Sequence, residues 1–589
     1  MDYYKRTKYC GEFSKNDIGK EVTVCGWVQR QRDLGQLIFI DLRDRTGIVQ
    51  LAFDDNTDKN IFEEAFKIRS EYVIAAKGLV RERSSKNFEI PTGEIEIEVK
   101  DLHLFSKSKT PPFEILDDIN VNEELRLKYR YLDLRRPKVQ KNILMRHKIV
   151  KLTRDYFDEN KFIEIETPML IKSTPEGARD YLVPSRVFKG AFFALPQSPQ
   201  LYKQMCMLSG FDRYMQIAKC FRDEDLRADR QPEFTQIDYE MSFADEEDVI
   251  EIAEGLMQKL YKEILNIDIK LPLMRLTYDQ AMKYYGSDKP DIRFDMKLKN
   301  ITNIFKNTQF KVFKNVVDSN GLVVAINAKN SADKLTRKEI DKLGTWIKDY
   351  GVKGLAWSKF NKDGNISSSF EKFLSEEEIQ NLHKALNFEP NDVIFIAADE
   401  NSETASISLG ALRCNLAEKL NLIDKTNPAL LWITDFPMFE YSKEENRFVS
   451  KHHPFTMPSE DNIDKLLNSP EKVKARAYDL ILNGNELGGG SIRISNSELQ
   501  EKVLSALGFS KEEAKERLGF LLEAFKYGAP PHAGLAFGLD RLVMLMLDCE
   551  SIRDTIAFPK VQNSSELMSS SPASVDKKQL DELNLQIKE

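Results

Sequence analysis

Residues 221–236 read Phe-Arg-Asp-Glu-Asp-Leu-Arg-Ala-Asp-Arg-Gln-Pro-Glu-Phe-Thr-Gln. Apolar segments at 214–220 and 235–243 flank this charged stretch and have the length of β-strands, which predicts a hairpin. Such a hairpin would present Arg222 and Glu224 together and could hold a phosphate and a metal ion or an amine at once. Arginine suits phosphate because its planar guanidinium donates two parallel hydrogen bonds. By itself, the stretch leaves open a salt-bridged surface hairpin without function.

A second chemical motif lies near the end of the chain. Residues 533–541 place glycines where a strand, a turn and a helix are expected to meet. Arg541 falls in the first turn of that apolar helix. A cation there interacts unfavourably with the positive end of the helix dipole, which a bound anion would offset. Polyphosphate is a natural anion for this position.

Upstream of the hairpin, apolar residues at helical spacing predict a helix over 141–160. A strand is expected at 162–167, where it ends at Pro168. Taken alone, the apolar stripe of this helix indicates ordinary core. A Lys- and Asn-rich stretch at 290–420, with charged helices expected at 336–349 and 375–386, separates the hairpin from the glycine turn. It carries none of the chemical motifs, which predicts a domain inserted into another.

The first 106 residues predict a small closed barrel. Strands are expected at 22–28, 37–42, 48–53, 72–80 and 94–104. Five strands in about 100 residues suit the OB-fold. Residues 94–99 alternate strictly between Glu and apolar side chains, which predicts one buried face and one wet face carrying Glu96.

One aromatic residue stands out on the barrel. Phe39 shares the expected wet face of its strand with Asp41 and Arg43. Further arginines lie nearby in the sequence, at positions 30, 32 and 45. An exposed ring among guanidinium groups can stack an unpaired base while the cations contact phosphates. Packing of Phe39 under a loop is the alternative that remains open.

Composition excludes several classes of protein. The 589 residues include 86 Lys+Arg and 94 Asp+Glu, a net charge of −8, which is not the surface of a sequence-blind nucleic-acid coat. Six scattered cysteines without a CxxC pair favour free thiols in a reducing cytoplasm over disulfides or a zinc site. With no signal-peptide core and no run of about 20 apolar residues, we expect neither a secreted nor a membrane protein.

In chain order, segment 141–168, the hairpin and the glycine turn resemble the three signature motifs of the class II aminoacyl-tRNA synthetases. Arg222-x-Glu224 is similar to their second motif and Gly538-x-x-Arg541 to their third. Five further stretches resemble the bacterial aspartyl-tRNA synthetase family: Asp133-Leu-Arg-Arg-Pro137, Thr174-Pro-Glu-Gly-Ala-Arg-Asp180, Gln197-Ser-Pro-Gln-Leu-Tyr-Lys203, His452-His-Pro-Phe-Thr456 and Glu486-Leu-Gly-Gly-Gly-Ser-Ile-Arg493. The likeness covers essentially the whole chain.

The resemblance implies an α+β fold: an N-terminal five-stranded OB-fold barrel, a catalytic domain with an antiparallel sheet, and an inserted α+β domain. The expected ranges are 1–106 for an anticodon-binding barrel, 107–140 for a linker, 141–289 and 421–560 for the two parts of the catalytic domain, 290–420 for the insertion of the bacterial type, and 561–589 for a C-terminal extension. It also implies a cytoplasmic homodimer with 141–168 at its interface.

The activity implied is that of an ATP-dependent aspartate–tRNA ligase. L-aspartate reacts with ATP to give aspartyl-adenylate and pyrophosphate, and aspartate then passes to the 3′ end of tRNA(Asp). Whether tRNA(Asn) is charged as well stays open, although Leu34 favours tRNA(Asp) alone by resemblance.

The resemblance also implies roles for single residues. The catalytic residues would be Arg222, Glu224 and Arg541. ATP would contact Arg222, Asp223, Glu224, Gln231, Phe234, Glu486, Gly538, Leu539, Asp540 and Arg541. Aspartate would contact Glu176, Gln200, Lys203, Arg222, Asp238, His452 and Arg493. The anticodon would contact Arg32, Phe39, Gln50 and Glu96.

Two of these assignments carry a chemical argument. Lys203 and Arg493 would bind the β-carboxylate, because neutral asparagine would leave buried charges unpaired. Asp479 and Glu486, with a helical segment expected at 478–482, would hold Mg²⁺, which prefers hard oxygen ligands. Surface acidity is the alternative for such a carboxylate pair.

Three other functions share part of this sequence pattern. An asparaginyl- or lysyl-tRNA synthetase shares the barrel and the three motifs, but is not expected to carry the long insertion. A binding module with a degenerate synthetase domain would be expected to have lost Arg222, Glu224 or Arg541. An aspartate–ammonia ligase would lack the barrel.

Overall fold

The computed structural model describes residues 4–174, 176–224 and 230–588. The chain forms two compact units, Met1–Met145 with Arg553–Ala573, and Arg146–Ile552 with Ser574–Glu589. Residues 225–229 of the charged stretch, with Arg227, lie outside the described residues, as does Pro175.

The first unit contains a closed five-stranded barrel. In spatial order its strands are Glu21–Asp33, Ile38–Asp44, Gly47–Phe53, Ile95–Ser106 and Val73–Glu82. The third and fourth of these run parallel, and the other neighbours are antiparallel. Ile38, Ile40 and Leu42 are fully buried inside, so the alternation in their strand places them as expected. The predicted five-stranded OB-fold is confirmed.

Two charged residues expected on the wet face of the barrel are buried instead. Arg43 donates through Nη2 to both carboxylate oxygens of Glu71, at 2.8 and 2.9 Å. Glu96 accepts from Gln50 Nε2 at 2.7 Å and from Arg81 Nε at 2.8 Å. The expectation of exposure is wrong at both positions, because alternation gives the face that a residue occupies and not what its neighbours cover.

Residues 107–140, expected as a linker, are largely helical at their end. They contain helices Glu123–Lys128 and Arg130–Asp133 and the start of helix Pro137–Glu159. The fully buried Asp133 accepts hydrogen bonds from Arg130 and Arg136. Arg130 in turn donates to the carbonyl oxygens of residues 553, 556 and 557, which fastens this segment to the second stretch of the same unit.

An eight-stranded, mostly antiparallel sheet organises the second unit. In spatial order its strands are Met274–Thr277, Leu430–Thr434, Ala477–Leu482, Asn485–Ile492, His532–Gly538, Glu233–Ser242, Arg213–Phe221 and Ile163–Glu164. The hairpin expected at 214–243 is present, with Arg213–Phe221 antiparallel to Glu233–Ser242. Only the two edge strands pair in parallel with their neighbours. The predicted α+β class with an antiparallel catalytic sheet is confirmed.

Two local expectations in this unit differ from the structure. The strand expected at 162–167 is confined to Ile163–Glu164, which pair with the edge of Arg213–Phe221. The helical segment expected at 478–482 is wrong, because Ala477–Leu482 is an inner strand of the sheet. Both faces of that strand are buried, so its apolar side chains do not alternate with polar ones, and a short apolar run is equally compatible with a buried helix.

A separate five-stranded sheet lies within the region expected as an insertion. Its strands, in spatial order, are Lys299–Asn300, Leu322–Ala328, Val393–Asp399, Ala356–Phe360 and Ile366–Ser368. The two charged helices expected here are present as Arg337–Trp346 and Glu376–Leu386, each begun by a capping box. Strand pairs Leu182–Pro184 with Phe192–Ala194 and Phe439–Ser442 with Arg447–Ser450 form two further small sheets.

The other α-helices of the described chain lie outside these sheets. They are Lys59–Lys67, Gln200–Leu208, Glu246–Leu265, Tyr278–Tyr285, Lys311–Asp318, Ser402–Lys419, Ser497–Ala506, Lys511–Ala524, Leu539–Met546 and Lys577–Leu583. Across the ranges described above, none of the helices has the length and apolar character needed to cross a membrane.

Candidate active site

A cleft of about 550 Å³ opens on the eight-stranded sheet. Strands Glu233–Ser242, Asn485–Ile492 and His532–Gly538 contribute to its floor, and helix Leu539–Met546 begins at its edge. Fourteen of the residues expected in the site line this one cleft: Gln200, Lys203, Arg222, Glu224, Gln231, Phe234, Asp238, His452, Asp479, Glu486, Arg493, Gly538, Asp540 and Arg541. Two of the three motifs, the hairpin and the glycine turn, therefore meet at one place although they are far apart in the sequence.

Three expected site residues have other surroundings. Glu176 accepts from Thr174 Oγ1 at 2.9 Å and from the hydroxyl of Ser198, and Ser198 lines the cleft. The carboxylate of Asp223 lies 3.9 Å from Arg179 Nε. The side chain of Leu539 is packed in the core below the helix start.

One end of the cleft carries a network of four buried charges, of which Lys203, Asp238 and Arg493 line the cleft and Glu240 lies behind them. Lys203 Nζ lies 2.5 Å from Asp238 Oδ1 and 3.3 Å from Glu240 Oε2. Arg493 donates to both oxygens of Glu240, from Nε at 2.8 Å and from Nη2 at 3.1 Å. Two cations and two carboxylates thus balance one another, which is the condition under which buried charges are tolerated.

The pKa values of the two carboxylates, Glu240 and Asp238, are shifted in opposite directions. Burial opposes ionisation of Glu240, but Arg493 and Lys203 outweigh it and lower the pKa of Glu240 to about 2. Burial raises the pKa of Asp238, which Lys203 offsets in part. Glu240 therefore stays ionised and serves as the counter-ion of the two cations. The ionised form of Asp238, in contrast, would be stabilised by a further cation.

The buried polar atoms of the cleft for which the described residues supply no hydrogen-bond partner include Asp238 Oδ2, Gln200 Nε2 and His452 Nδ1. Leaving such atoms unpaired costs free energy, so their presence in a cleft indicates a ligand that supplies the missing partners. The acceptor on Asp238 suits an ammonium group, and the donor on Gln200 suits a carboxylate oxygen.

Glycines make room for the carboxylates. A Cβ at Gly534 would lie 2.0 Å from Glu240 Oε2, and one at Gly489 would lie 2.6 Å from Asp479 Oδ1. At Gly534 a Cβ would also lie 2.3 Å from the carbonyl oxygen of Tyr239, which excludes a side chain there, whereas at Gly489 the Asp479 carboxylate would have to move. This explains the glycine-rich character of the two strands that meet here.

The other end of the cleft carries arginines and an aromatic ring. The Arg222 guanidinium lies 5.1 Å from the centre of the Phe234 ring. Glu224 forms an ion pair with Arg230 at 2.9 Å. Arg541 lies in the first turn of helix Leu539–Met546 and donates from Nη1 to the carbonyl oxygen of Glu486 at 2.6 Å. This end presents cations and a flat ring, which suits a phosphorylated purine.

Two acidic side chains lie between these ends. Asp479 Oδ1 lies 3.1 Å from His452 Nε2, and Asp479 raises the pKa of His452 although burial opposes it. Asp479 and, after it, burial raise the pKa of Glu486. Across the described part of the chain, no three His, Cys, Asp or Glu side chains are grouped as metal ligands. A cation at this carboxylate pair would need further oxygens from a ligand.

Three of the four expected anticodon residues, Arg32, Gln50 and Glu96, form a hydrogen-bonded chain on the barrel, and the ring of Phe39 lies beside Arg32. The Arg32 guanidinium lies 5.8 Å from the centre of the Phe39 ring. Arg32 Nη2 donates to Gln50 Oε1 at 3.0 Å, and Gln50 Nε2 donates to Glu96 Oε2 at 2.7 Å. Phe39 is half-buried, whereas Gln50 and Glu96 are buried.

Sequence reasoning missed two residues that contact Arg493, Glu240 and His453, of which His453 lines the cleft. Glu240 follows Asp238 by two residues on one strand, so the period of a strand puts both on one face and could have revealed it. His453, and not His452, contacts Arg493, with Nε2 at 2.6 Å from Nη1. Nothing in the sequence distinguishes the two adjacent histidines.

Comparison with known proteins agrees with this geometry. A family model described as class II tRNA synthetases (D, K and N) matches residues 122–562, and an OB-fold nucleic acid binding domain model matches residues 22–105. A solved asparaginyl-tRNA synthetase of Pyrococcus horikoshii in complex with asparaginyl-adenylate superposes with a TM-score of 0.59 over 94% of this chain and 98% of that one. At 18% identity it shows the fold alone.

The chain belongs to the class II tRNA synthetases of the aspartate, lysine and asparagine group. Within that group it belongs to the bacterial aspartate–tRNA ligases. It is 56% identical to the aspartate–tRNA ligase of Ruminiclostridium cellulolyticum, over 99% of this chain and 98% of that protein. It is 53% identical, with the same coverage, to the aspartate–tRNA(Asp/Asn) ligase of Caldanaerobacter subterraneus subsp. tengcongensis.

Proposed function

We propose that this protein activates L-aspartate with ATP and transfers it to the 3′ end of tRNA(Asp). The observation that carries the proposal is the buried network of Lys203, Asp238, Glu240 and Arg493, with unpaired polar atoms on Asp238 and Gln200 beside it. The α-ammonium of aspartate matches Asp238 Oδ2. Its β-carboxylate matches the two cations.

ATP occupies the arginine-rich end in this proposal. The adenine stacks on Phe234, Arg222 contacts the α-phosphate and the aspartate carboxylate, and Arg541 contacts the γ-phosphate. Glu224 and Gln231 fix the nucleotide. The phosphates of ATP then supply the anion that offsets the unfavourable position of Arg541 at the start of helix Leu539–Met546.

Asp479 and Glu486 are the proposed Mg²⁺ ligands. Their mutual repulsion, visible in the raised pKa of Glu486, is what a divalent cation would relieve. Both supply hard oxygen atoms, so the donor set fits Mg²⁺ completed by phosphate oxygens. When bound, this ion neutralises charge on the phosphates.

Adenylate formation needs alignment and charge neutralisation more than covalent help from the protein. Asp238 and Lys203 hold the amino acid so that its α-carboxylate can attack the α-phosphorus. Arg222 stabilises the charge that develops on the phosphate oxygens, and pyrophosphate leaves. In the second step the terminal adenosine of tRNA attacks the acyl carbon and releases AMP.

Aspartate-dependent ATP–pyrophosphate exchange tests the proposal directly. We expect exchange with aspartate and little with asparagine or lysine, and charging when tRNA(Asp) is added. Preference for asparagine or lysine would identify a different member of the group. Exchange without charging would favour a module that only senses aspartate.

The choice of tRNA needs its own assay. Leu34, exposed near the barrel, favours tRNA(Asp) alone, whereas one relative with 53% identity is named for both tRNA(Asp) and tRNA(Asn). We propose tRNA(Asp) as the substrate. Charging of purified tRNA(Asn) at a comparable rate would extend the proposed substrate to both tRNAs.

Three further proposals follow from family membership. The protein acts in the cytoplasm as a homodimer whose interface includes residues 141–168. The range 290–420 is an inserted domain, and the range 561–589 is a C-terminal extension. Sedimentation velocity at micromolar concentration tests the dimer.

Phe39→Ala should weaken tRNA charging and leave adenylate formation unchanged. Loss of one stacked base costs roughly 1–3 kcal/mol, so we expect kcat/KM for tRNA(Asp) to fall about 5- to 100-fold. The ring lies beside Arg32 on the barrel, away from the core residues Ile38 and Ile40. Charging and pyrophosphate exchange are measured on the same preparation, and equal loss of both activities would indicate a folding defect instead.

Glu486→Gln should raise the Mg²⁺ concentration needed for half-maximal exchange. Loss of even an outer-shell partner of a metal ligand costs roughly 10- to 100-fold in affinity, so loss of the charge on a proposed ligand should cost at least as much. The matched control is Glu440→Gln, an exposed carboxylate on strand Phe439–Ser442 that pairs with Lys451. A magnesium titration unchanged by Glu486→Gln would remove Glu486 from the proposed metal site.

A further inference from the structure

Arg493 is held from two sides on the floor of the cleft. On one side Nε and Nη2 donate to Glu240. On the other side Nη1 donates to Ser491 Oγ at 2.7 Å and lies 2.6 Å from His453 Nε2. A guanidinium carries five N–H groups, and these contacts account for four of them. One N–H, on Nη2, is left for a ligand.

The contact between His453 and Arg493 defines the state of the imidazole. Burial and, after it, Arg493 hold the pKa of His453 well below its ordinary value, so the ring is neutral. Arg493 has no acceptor atom, so His453 Nε2 must carry the lone pair and Nδ1 the proton. Thr456 Oγ1 lies 3.4 Å from Nδ1 and can accept a hydrogen bond from the Nδ1–H.

The other tautomer is less favourable. The backbone N–H of Phe455 points to Nδ1 at 3.2 Å and would be satisfied if Nδ1 carried the lone pair. That arrangement would place an N–H of His453 against an N–H of Arg493 at 2.6 Å. The contact to the guanidinium is shorter and charge-assisted, so it outweighs the contact to the backbone.

A neutral ring also preserves the charge balance of the cleft. The charged or titratable groups that act on His453 are Arg493, Lys203 and His452. A protonated His453 would add one more cation beside them. A neutral acceptor restrains the guanidinium without altering the net charge that the ligand meets.

We propose that His453 is a positioning residue for amino-acid selection, which orients Arg493 so that its remaining N–H faces the β-carboxylate. The inference rests on the proposed function and deepens it. With the guanidinium held between Glu240 and His453, the position of its free N–H is fixed. A carboxylate satisfies both this N–H and Lys203, whereas the amide nitrogen of asparagine would place a donor against one of them. Without the acceptor, Arg493 can turn towards the ligand and the discrimination decreases.

A matched pair of variants tests this role. His453→Gln retains an acceptor, and His453→Leu has a similar volume without one. We expect His453→Leu to raise KM for aspartate about 30-fold and to lower the aspartate-to-asparagine ratio of kcat/KM about 10-fold, with KM for ATP within about twofold. His453→Gln should keep the ratio within about threefold of the unchanged protein.

Several results would overturn the role of His453. These are an unchanged ratio in His453→Leu, a parallel rise of KM for ATP and aspartate, or a His453→Gln variant as impaired as His453→Leu. Circular dichroism verifies folding, and His453→Met replaces His453→Leu under the same expectation if the latter does not fold. The unchanged protein is assayed first. No aspartate-dependent exchange there would overturn the proposed function together with this inference, whereas normal exchange there with an unchanged ratio in the variant would overturn the role of His453 alone.

Discussion

Arg493→Leu is expected to lower kcat/KM for aspartate by about 10³-fold in ATP–pyrophosphate exchange, with KM for ATP almost unchanged. The guanidinium is one of two cations on the floor of the cleft, and its side chain is 2% exposed. Leucine would leave the β-carboxylate with Lys203 alone, which is already shared by Asp238 and Glu240. ATP contacts lie at the other end of the cleft in the proposed arrangement.

A structural effect must be separated from this catalytic one. Glu240 loses its bidentate partner in Arg493→Leu and keeps only Lys203, at 3.3 Å. Breaking a buried ion pair by removing one partner costs about 3–5 kcal/mol of folding free energy. The double variant Arg493→Leu/Glu240→Gln removes the excess buried negative charge and should recover stability in a thermal melt without recovering aspartate activation. Near-normal aspartate-dependent exchange in either variant would contradict the assignment of Arg493.

Arg222→Ala should reduce adenylate formation by about 10²- to 10³-fold in kcat, because it removes a donor from the charge that develops at the α-phosphate. Arg222 lines the cleft beside Phe234, at the end of strand Arg213–Phe221. It is partly exposed, so its removal should leave the melting temperature almost unchanged. The rate of adenylate formation in a single turnover measures the effect on the chemical step.

Arg222→Lys separates the charge from the geometry. Lysine keeps the charge but cannot form two parallel hydrogen bonds, so we expect it to recover about tenfold of the activity lost in Arg222→Ala and not the whole of it. Full activity in Arg222→Lys would show that charge alone suffices. Full activity in Arg222→Ala would exclude Arg222 from the reaction.

The barrel illustrates what local patterns predict well. Its five strands occur where alternating side chains and turns placed them, and the inward residues Ile38, Ile40 and Leu42 are fully buried. Period-2 alternation is a direct consequence of strand geometry, so it can be read without knowledge of the neighbours. The capping boxes that begin helices Arg337–Trp346 and Glu376–Leu386 are local in the same sense.

Ala477–Leu482 illustrates where local patterns fail. Its side chains are buried on both faces because strands lie on either side of it, and that removes the alternation by which a strand is recognised. The prediction that Glu96 is exposed fails for a related reason, because Gln50 and Arg81 cover a face that alternation assigns to solvent. In both cases the missing information is the identity of residues distant in sequence.

The sequence by itself determined the class of fold, the barrel strands, the catalytic hairpin and fourteen of the residues that line the cleft, because residue type and spacing are local properties. The tertiary structure alone decided how these residues are paired. It placed Glu240 between Lys203 and Arg493, and it put His453 against that guanidinium while His452 faces Asp479. Pairing of buried charges depends on distances of a few ångströms between strands, and no single segment of the chain contains that information.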